Sequence, residues 1–420
     1  MVQASADARY QQLVRRLTQQ YAAIPIGSPV RLAKKTSNLF RTRTEVTTPG
    51  LDVAAFDGAL GVGPVNRAAD VLGMTTSEHL VDATLPHGLM PLGVPQLKTL
   101  TLGGAVTGLG IESSSFREGL PHESVLEMDI LTGDGNIVTV TSQPDDPNRE
   151  LYLSFPNSYG SLGYALRLKI ELAPVQDYVA LEHIRYDSAK ELVRAISEIT
   201  SSQSHDGKHV DFLDGTVFSS DEQYLTLGRW TNTLPAGYSR PSDYTGMDIY
   251  YESIRQRSAD VLSVRDYIWR WDTDWFWCSR AFGAQKPLIR RMWPKSKLRS
   301  DIYWKIIAAD RKYKLSDRQL KLRGKPPKEE IVQDIEGPVD RLAEFLDFFH
   351  AEIGISPVWV CPLRSRDGTT KWPLYEMDTA ITYVNVGFWS TVALEKDGNP
   401  ADGVLNRLIE AAVTKLDGHK

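Results

Sequence analysis

A glycine-rich segment, TLGGAVTGLGIESSSFREGLPHES at residues 101–124, holds the residue types best suited to binding a ligand. Glycine at this density costs chain entropy on folding, so a tight turn or a close backbone approach is expected to require it. Leu109 stands where a Walker A loop needs lysine, which argues against a kinase or ATPase. The G-x-G-x-x-G fingerprint of dinucleotide-binding folds is absent as well. Two interpretations remain: backbone N–H groups facing an anion, or a plain β-turn region.

Two further segments contain residues suited to a phosphate. NSYGSLGYALRLKIEL (157–172) places Gly160, Ser161 and Gly163 before an alternating strand, and PVRLAKKTSNLF (29–40) enters a turn of Lys, Thr, Ser and Asn. Each segment alone is often just a turn. Together with the glycine-rich segment they favour one shared anion site.

Other catalytic patterns are weak. His205 and His209 lie four residues apart, but SHDGKH contains an Asp-Gly pair, which favours a polar loop over a zinc-binding helix. No G-x-S-x-G motif supports a hydrolase. Cys278 and Cys361 form no C-x-x-C pair, so we expect small buried side chains in a reducing, cytoplasmic compartment. We expect no metal site.

The bulk composition narrows the possible functions. The 420 residues are 42% hydrophobic and carry a net charge of −5, with acidic and basic residues well mixed. This charge argues against a nucleic-acid partner. We expect no secretory signal, since the N-terminus has no apolar core, and no membrane span, since no apolar run approaches 18 residues.

Periodicity predicts an α+β chain of four segments. Helical spacing predicts a helix over residues 5–22, and Gly and Asp at 133–136 predict a β-hairpin. Residues 28–174 combine short strands with a helix at 75–88, whereas 175–390 alternates strands with helices such as 188–202 and 339–354. The predicted segments are an N-terminal helix (1–27), a first domain (28–174), a second domain (175–390) and a C-terminal helical segment (391–420).

The stretch 265–314 combines aromatic and basic residues. Six of the ten tryptophans lie there, and residues 286–299 contain six basic side chains and no acidic one. Tryptophans mostly pack in cores. However, tryptophans beside a purely basic run are also typical of a segment that rests on anionic lipid headgroups. Both interpretations stay open.

In order, PVRLAKKTSNLF, TLGGAVTGLGIESSS, DGNIVTV and SFPNSYGSLGYALRLKIEL resemble the FAD-binding domain of vanillyl-alcohol-oxidase-type flavoproteins. Within that superfamily the sequence of the glycine-rich segment is similar to that of the Δ24-sterol reductase branch. The resemblance extends to about residue 390 through EEIVQDIEGPVDRL, SPVWVCPL and YVNVGFW. It implies a PCMH-type FAD-binding domain of two α/β subdomains and an α+β substrate (cap) domain. It also implies a longer C-terminal tail, so 391–420 is expected to be truncated.

The resemblance implies which residues hold the cofactor. No histidine lies in 29–40, where many members attach FAD, so non-covalent FAD is expected. The implied FAD-binding residues are Lys35, Thr36, Ser37, Asn38, Thr101, Leu102, Gly103, Gly104, Ala105, Val106, Thr107, Gly108, Gly110, Ile111, Glu112, Ser113, Ser114, Gly119, Ile137, Gly160, Ser161 and Gly163.

The resemblance also implies a reaction, the reduction of an isolated C=C bond. Similar bacterial proteins reduce a 10-methylene fatty acyl chain of a phospholipid to 10-methyl, by protonation to a tertiary cation and hydride transfer from reduced flavin N5, with NADPH as reductant. Tyr383, Glu112 and His122 are candidate proton donors. Glu112 is alternatively, and preferably, a residue that hydrogen-bonds the flavin, and His122 is alternatively a structural hydrogen-bonding residue. The implied partners are a phospholipid at the inner membrane surface, reached through 265–314, and a methyltransferase that makes the methylene substrate. The alternatives are a sterol Δ24 reductase, an alcohol oxidase or dehydrogenase, and a lipid-surface binding protein with a vestigial flavin site.

Overall fold

The computed structural model describes residues 2–34, 50–395 and 398–420. The chain divides into two compact units. Unit 1 combines Met1–Ile111, Glu118–Val175 and Arg366–Asp378, and unit 2 combines Glu112–Arg117, Gln176–Ser365 and Thr379–Lys420. Two short stretches thus lie outside the domains that the sequence assigned to them, since 112–117 belongs to unit 2 and 366–378 to unit 1. The N-terminal helix is part of unit 1, and 391–420 is part of unit 2.

Unit 1 is built on an antiparallel sheet with the strand order β3-β4-β8-β6-β7, in which β5 also pairs with β8. A separate parallel pair joins β1 to β2. The strands are β1 Leu32–Ala33, β2 Leu51–Asp52, β3 Ala59–Gly63, β4 Ala68–Leu72, β5 Leu89–Pro91, β6 Val125–Leu131, β7 Ile137–Thr141 and β8 Tyr164–Pro174. The helices are α1 Val2–Ala22, α2 Ser77–Thr84, α3 Leu102–Thr107, α4 Ser115–Glu118, which spans the unit boundary, and α5 Arg149–Ser154, with 3₁₀ turns at Leu85–His87 and Pro121–Ser124.

Sequence patterns explain these elements. In β8 the alternate residues Leu166, Leu168 and Ile170 are buried, as the period of two along a strand requires. Helix α1 buries Tyr10 and Leu17 against the same core, which confirms the predicted helix. The predicted hairpin at 133–136 joins β6 to β7 and the predicted helix at 75–88 is α2, so both predictions are confirmed.

Unit 2 is built on a seven-stranded antiparallel sheet with the order β14-β9-β13-β12-β16-β17-β15. Its strands are β9 Tyr178–Tyr186, β12 Phe212–Ser219, β13 Glu222–Thr231, β14 Ala259–Ser263, β15 Lys328–Pro338, β16 Val358–Leu363 and β17 Tyr383–Ala393, with a small hairpin of β10 Ser204–His205 and β11 Lys208–His209. The helices are α6 Ala189–Ser202, α7 Tyr250–Ser253, α8 Val264–Ile268, α9 Pro287–Met292, α10 Ser300–Tyr313, α11 Leu315–Leu322, α12 Leu342–Glu352 and α13 Val404–Lys415, with 3₁₀ turns at Cys278–Phe282, Lys295–Lys297, Val339–Arg341 and Pro400–Asp402. The α+β class is confirmed.

The two faces of the unit 2 sheet differ in polarity. One face packs against α6, α12 and α13 in a core that includes Leu192, Phe349 and Ile409. Because side chains alternate across a strand, the residues between the core positions point to the other face. That face carries the polar side chains His183, Asp214, Thr216, Thr226, Asp334, Glu336 and Asn385. We call it the polar sheet face.

The tryptophan-rich stretch divides into two parts. Trp269, Trp271, Trp275 and Trp277 are at most 5% exposed, so this part belongs to the core.

Within the described ranges no helix is long and apolar enough to cross a membrane. The same ranges contain no group of three or more His, Cys, Asp or Glu that could hold a metal ion, and His205 and His209 lie in the small hairpin.

Candidate functional site

The glycine-rich segment folds as a short helix instead of an open loop. Thr101 caps α3, and its Oγ1 accepts a hydrogen bond from the Gly104 amide at 3.3 Å. The Gly103 amide donates to the Gly73 carbonyl at 2.9 Å, and the Leu102 amide also donates to a backbone carbonyl. These N–H groups are used inside the protein, so the expectation that they face an anion is wrong for this end of the segment.

Close packing explains two of the glycines. A Cβ at Gly103 would lie 2.8 Å from the Gly73 carbonyl oxygen, and a Cβ at Gly110 would lie 2.6 Å from Cγ of Pro95. Both distances are too short for any other residue type. The buried side chains of the helix are those of Leu102, Ala105 and Val106. This part of the segment therefore positions backbone and does not need a ligand to account for it.

The structure brings the second glycine segment to the first. The Tyr159 amide donates to the Thr107 carbonyl at 3.0 Å. Gly160 and Gly163 have φ angles of +84° and +138°, a region that favours glycine. The two glycine segments therefore lie next to each other, as a shared site requires.

The joined segments fit a bound polar cofactor. Gly104 is exposed, and a Cβ at Gly108 would lie 3.1 Å from the Gly104 carbonyl oxygen, so the two glycines keep this surface free of side chains. Ser161 Oγ donates to the Ser158 carbonyl. The Ser158 hydroxyl itself is buried and has no hydrogen-bond partner among the described residues, as is expected of a group that serves a ligand.

The remaining FAD candidates are scattered. Lys35, Thr36, Ser37 and Asn38 lie outside the described residues. Gly119 has a φ of +72°, and a Cβ there would lie 2.3 Å from a Glu123 carboxylate oxygen. Ile137 pairs with Leu131 at the start of β7 and packs against the unit 1 core, while Ile111 is half-buried in the loop after α3. Gly119 and Ile137 thus have structural reasons to be where they are.

Glu112, Ser113 and Ser114, which the resemblance assigned to the FAD-binding domain, make their packing contacts in unit 2. Ser113 Oγ lies 3.1 Å from both Glu112 carboxylate oxygens and 2.7 Å from the Tyr267 hydroxyl. The Ser114 amide donates to Glu112 at 2.8 Å. Burial raises the pKa of the Glu112 carboxyl, and the nearby Arg270 guanidinium opposes that rise. The three residues therefore form a closed network in the interior.

A buried ion pair holds this network in place. Arg270 donates to Ser113 at 3.2 Å and to Asp214 at 2.8 Å, and its guanidinium lies 3.9 Å from the centre of the Tyr267 ring. Asp214 also accepts from the indole N–H groups of Trp271 and Trp359, at 3.0 and 3.2 Å. Both charged partners are at most 1% exposed as side chains. Because the carboxylate is fully paired, this cluster is a structural centre of the polar sheet face.

The other two predicted proton donors are enclosed. His122 in unit 1 packs edge-on against Trp372 at 4.4 Å, and neither ring nitrogen has a hydrogen-bond partner among the described residues. Burial lowers the pKa of His122 to about 3, so the ring is neutral at pH 7. Tyr383 is 5% exposed at the start of β17, opposite Pro338 and Leu363.

The polar sheet face contains an acid that the sequence analysis missed. In β15 the core side chains are those of Ile331 and Ile335, so Asp334 and Glu336, at the alternate positions, point the other way. Asp334 is exposed and lies directly opposite Gly387 of β17. The alternation in EEIVQDIEGP is the signal that would have shown an acid on a non-core face.

The environment of Asp334 keeps its carboxyl protonated to near neutral pH. The surrounding protein removes much of the water that would stabilise the charged form, and the Glu336 carboxylate adds repulsion, so the pKa of Asp334 rises to about 7. A Cβ at Gly387 would lie 2.8 Å from Asp334 Oδ1 and 2.7 Å from the Trp389 ring. The acid thus lies over a glycine and beside an indole.

An amide without a protein partner lies in the adjacent row of the polar sheet face. Asn385 is opposite Glu336 on one side and Cys361 on the other. It is fully buried, and neither its Oδ1 nor its Nδ2 has a hydrogen-bond partner among the described residues. Such a group in a native interior calls for a ligand or water. Asp334 and Asn385 thus lie in neighbouring rows of the polar sheet face, the first exposed and the second without a partner among the described residues.

Comparisons with known proteins match one domain of the chain and most of its length. Residues 9–141 match the FAD binding domain family. A Delta(24)-sterol reductase homolog of Caenorhabditis elegans is 26% identical over 346 residues, which cover 77% of this chain and 62% of that protein. The Delta(24)-sterol reductase of Rattus norvegicus is 27% identical over 308 residues, which cover 70% and 55%. Cytokinin dehydrogenase 3 of Arabidopsis thaliana is 31% identical over 165 residues, which cover 39% and 29%.

The matched region spans less than two thirds of either reductase's length. The predicted FAD-binding domain and PCMH-type fold are confirmed. Residues 9–141 are thus an FAD-binding domain, and the chain that contains them is similar to Delta(24)-sterol reductases over most of its length.

Proposed function

We propose that this protein is an FAD-dependent oxidoreductase that reduces an isolated C=C bond, with Asp334 as the proton donor. The observation that carries the proposal is the FAD-binding domain in a chain that is similar to Delta(24)-sterol reductases over 77% of its length. The polar sheet face supports it, because it supplies the acid that such a reaction needs.

The chemistry sets the requirement for that acid. An isolated alkene has no adjacent carbonyl to accept electrons, so it must be protonated before a hydride can add. FAD, when bound and reduced, supplies the hydride. The protein must therefore hold a group that is protonated near pH 7 and open to a substrate.

Asp334 meets both conditions. Its side chain is exposed, and its carboxyl has a pKa of about 7. The titratable groups around it are Glu336 on the same strand face and the Cys361 thiol, whose pKa burial raises well above its usual range. Neither group carries a positive charge, so neither favours the charged form of the Asp334 carboxyl. The Trp389 ring lies over Gly387, next to the Asp334 carboxyl, so an aromatic ring that can stabilise a cation is close to the acid.

As the substrate we propose a phospholipid that carries a 10-methylene fatty acyl chain. Asp334 would give its proton to the terminal CH₂ carbon, which becomes a methyl group and leaves a tertiary cation at the branch carbon. A hydride then completes the 10-methyl product, and the two electrons come from NADPH, which is oxidised to NADP⁺. The reprotonation of Asp334 from solvent closes the cycle.

A second candidate substrate is a sterol with a Δ24 double bond, favoured by the names of the two reductases. Its alkene is also isolated and also gives a tertiary cation on protonation. The same acid and the same hydride would therefore serve both substrates. The two candidates differ in the length and rigidity of the molecule, not in the reaction.

The test uses the purified full chain supplied with FAD and NADPH. We expect a flavin absorbance that NADPH bleaches and a methylene-acyl phospholipid restores. In D₂O the product should carry one deuterium in the new methyl group, since that carbon receives the solvent-derived proton. A sterol that restores the absorbance while the phospholipid does not would reassign the substrate. Peroxide release with an alcohol, without alkene reduction, would overturn the proposal in favour of an oxidase, and a protein that binds lipid but no flavin would overturn it entirely.

A further inference from the structure

Acidic and basic residues are mixed over most of the chain, but one stretch is strongly basic. Residues 286–325 contain fourteen Lys and Arg and three Asp, a net charge of +11 in a chain whose net charge is −5. The remaining residues are therefore strongly acidic. A stretch this basic is expected to attract an anionic partner.

Helix α9 begins this basic stretch and exposes large apolar side chains. Leu288 and Met292 lie one helical turn apart, on one face, and are 80% and 84% exposed. Met247, in the neighbouring loop, is 52% exposed. Single exposed apolar side chains are common on protein surfaces, but a group of them is typical of an interaction site.

A buried ion pair fixes α9 and the Met247 loop to one another. Arg290 forms a two-pronged pair with Asp274, both almost fully buried. The same guanidinium donates to the carbonyls of Gly246 and Asp248, at 2.8 and 3.1 Å, on either side of Met247. The three apolar side chains therefore belong to one supported surface.

Cations surround these apolar side chains. Lys286 and Arg291 on and before α9, and Lys295 and Lys297 after it, are all exposed. Lys295 lies 3.4 Å from Asp243, an exposed pair that contributes little attraction. We call Met247, Leu288, Met292 and these four cations the α9 surface. Helices α10 and α11 and the residues next to them continue the positive charge with Lys305, Lys312, Lys314, Arg318, Lys321 and Arg323.

We propose that the α9 surface docks on an anionic phospholipid bilayer, with Leu288 and Met292 inserted among the acyl chains. The four cations match lipid phosphates, and the aliphatic side chains match the hydrocarbon just beneath them. A nucleic acid would satisfy the charge but would leave Leu288 and Met292 in water. This surface replaces the wider membrane segment expected from the sequence, because the tryptophans of 269–277 lie in the core. Docking requires neither cofactor nor turnover, so it stands or fails apart from the proposed reaction.

The test measures sedimentation of the full chain with vesicles. Vesicles of 30% phosphatidylglycerol in phosphatidylcholine should bind the protein, pure phosphatidylcholine should bind it at least tenfold more weakly, and added NaCl should weaken binding. A Leu288→Asp/Met292→Asp variant should lose at least tenfold in partitioning. Val65→Asp is the matched control, since Val65 is a fully exposed valine in unit 1, and it should bind like the unchanged protein.

A charge variant keeps the proposal falsifiable if the first variant does not fold. Lys286→Glu and Arg291→Glu change exposed side chains, and each should weaken binding to anionic vesicles about fivefold or more. Equal binding to neutral and anionic vesicles would overturn the proposal. So would an unchanged partition of the folded Leu288→Asp/Met292→Asp variant. Tighter binding to duplex DNA than to vesicles, insensitive to Leu288 and Met292, would replace the bilayer with a nucleic acid.

Discussion

Replacing Asp334 with asparagine should reduce turnover by roughly 10²–10⁴-fold, the usual contribution of a positioned general acid. The structure explains why this aspartate can do what an ordinary one cannot. With a pKa of about 7, half of the Asp334 carboxyls carry a proton at pH 7. An aspartate without such surroundings has a pKa of about 3.9 and is protonated in only about one molecule in 1,000 at that pH. Asparagine keeps the size of the side chain and removes the transferable proton.

The assay is the pH dependence of turnover with NADPH and a saturating alkene substrate. Because the protonated carboxyl is the active form, turnover should be constant below pH 7 and fall about tenfold per pH unit above it. Removing the Glu336 charge with Glu336→Gln lowers the pKa of Asp334, so this descending limb should move to lower pH. Asp340→Asn, an exposed aspartate beyond the end of β15, is the matched control and should leave the profile unchanged.

Stability gives a readout that separates a proton donor from a structural residue. The folded-state pKa of Asp334 is raised, so the folded protein holds this proton more tightly than the unfolded chain does. Its contribution to stability is therefore fully present below about pH 4 and lost as the pH rises toward 7. Asp334→Asn should be at least as stable as the unchanged protein at pH 8. Retention of more than a third of the turnover, or an unchanged pH profile, would refute the assignment of Asp334.

Three further predictions follow from the packing. Asp214→Ala leaves the buried Arg270 charge without its partner, so urea unfolding should show a loss of about 3–5 kcal/mol, and a loss under 1 kcal/mol would contradict the structure. Gly387→Ala places a Cβ 2.8 Å from the Asp334 carboxylate, so turnover should fall while the bound flavin content stays constant. His122 stays neutral when folded but is protonated when unfolded, so stability falls as pH drops below about 6.5, and His122→Leu should flatten that slope by about 1.4 kcal/mol per pH unit near pH 5.

Local patterns predicted the elements of both units well. The turn signal at 133–136 and the alternation in β8 depend on nearest neighbours, and both appear in the structure as expected. The glycine-rich segment did not follow its local pattern. Two adjacent glycines weaken a helix, yet α3 contains both. Gly103 is needed there because its backbone packs closely against the Gly73 carbonyl. That contact joins residues thirty positions apart, which no sequence window reveals.

The site was harder to predict than the fold. The sequence identified the two glycine segments that meet through Tyr159 and Thr107, because their composition is local information. It missed Asp334 because an acid becomes a proton donor through its surroundings: the face of the strand, the lost water and the neighbouring Glu336 charge. It placed Glu112 in the flavin loop, since the chain gives no sign that six residues of that loop belong to the other unit.

Unit 2 contains two carboxyls with a raised pKa, those of Glu112 and Asp334. Access to the carboxyl decides which of them can give its proton to a substrate. Glu112 is 5% exposed, and its carboxylate accepts hydrogen bonds from Ser113 and Ser114. The protein therefore encloses this carboxyl. A proton there has no path to a substrate unless the network opens. Asp334 has its pKa raised by the same loss of water, but its side chain remains exposed and lies over a glycine. An acid that exchanges with a substrate must be desolvated enough to keep its proton and open enough to give it away. On the polar sheet face these two conditions meet at Asp334.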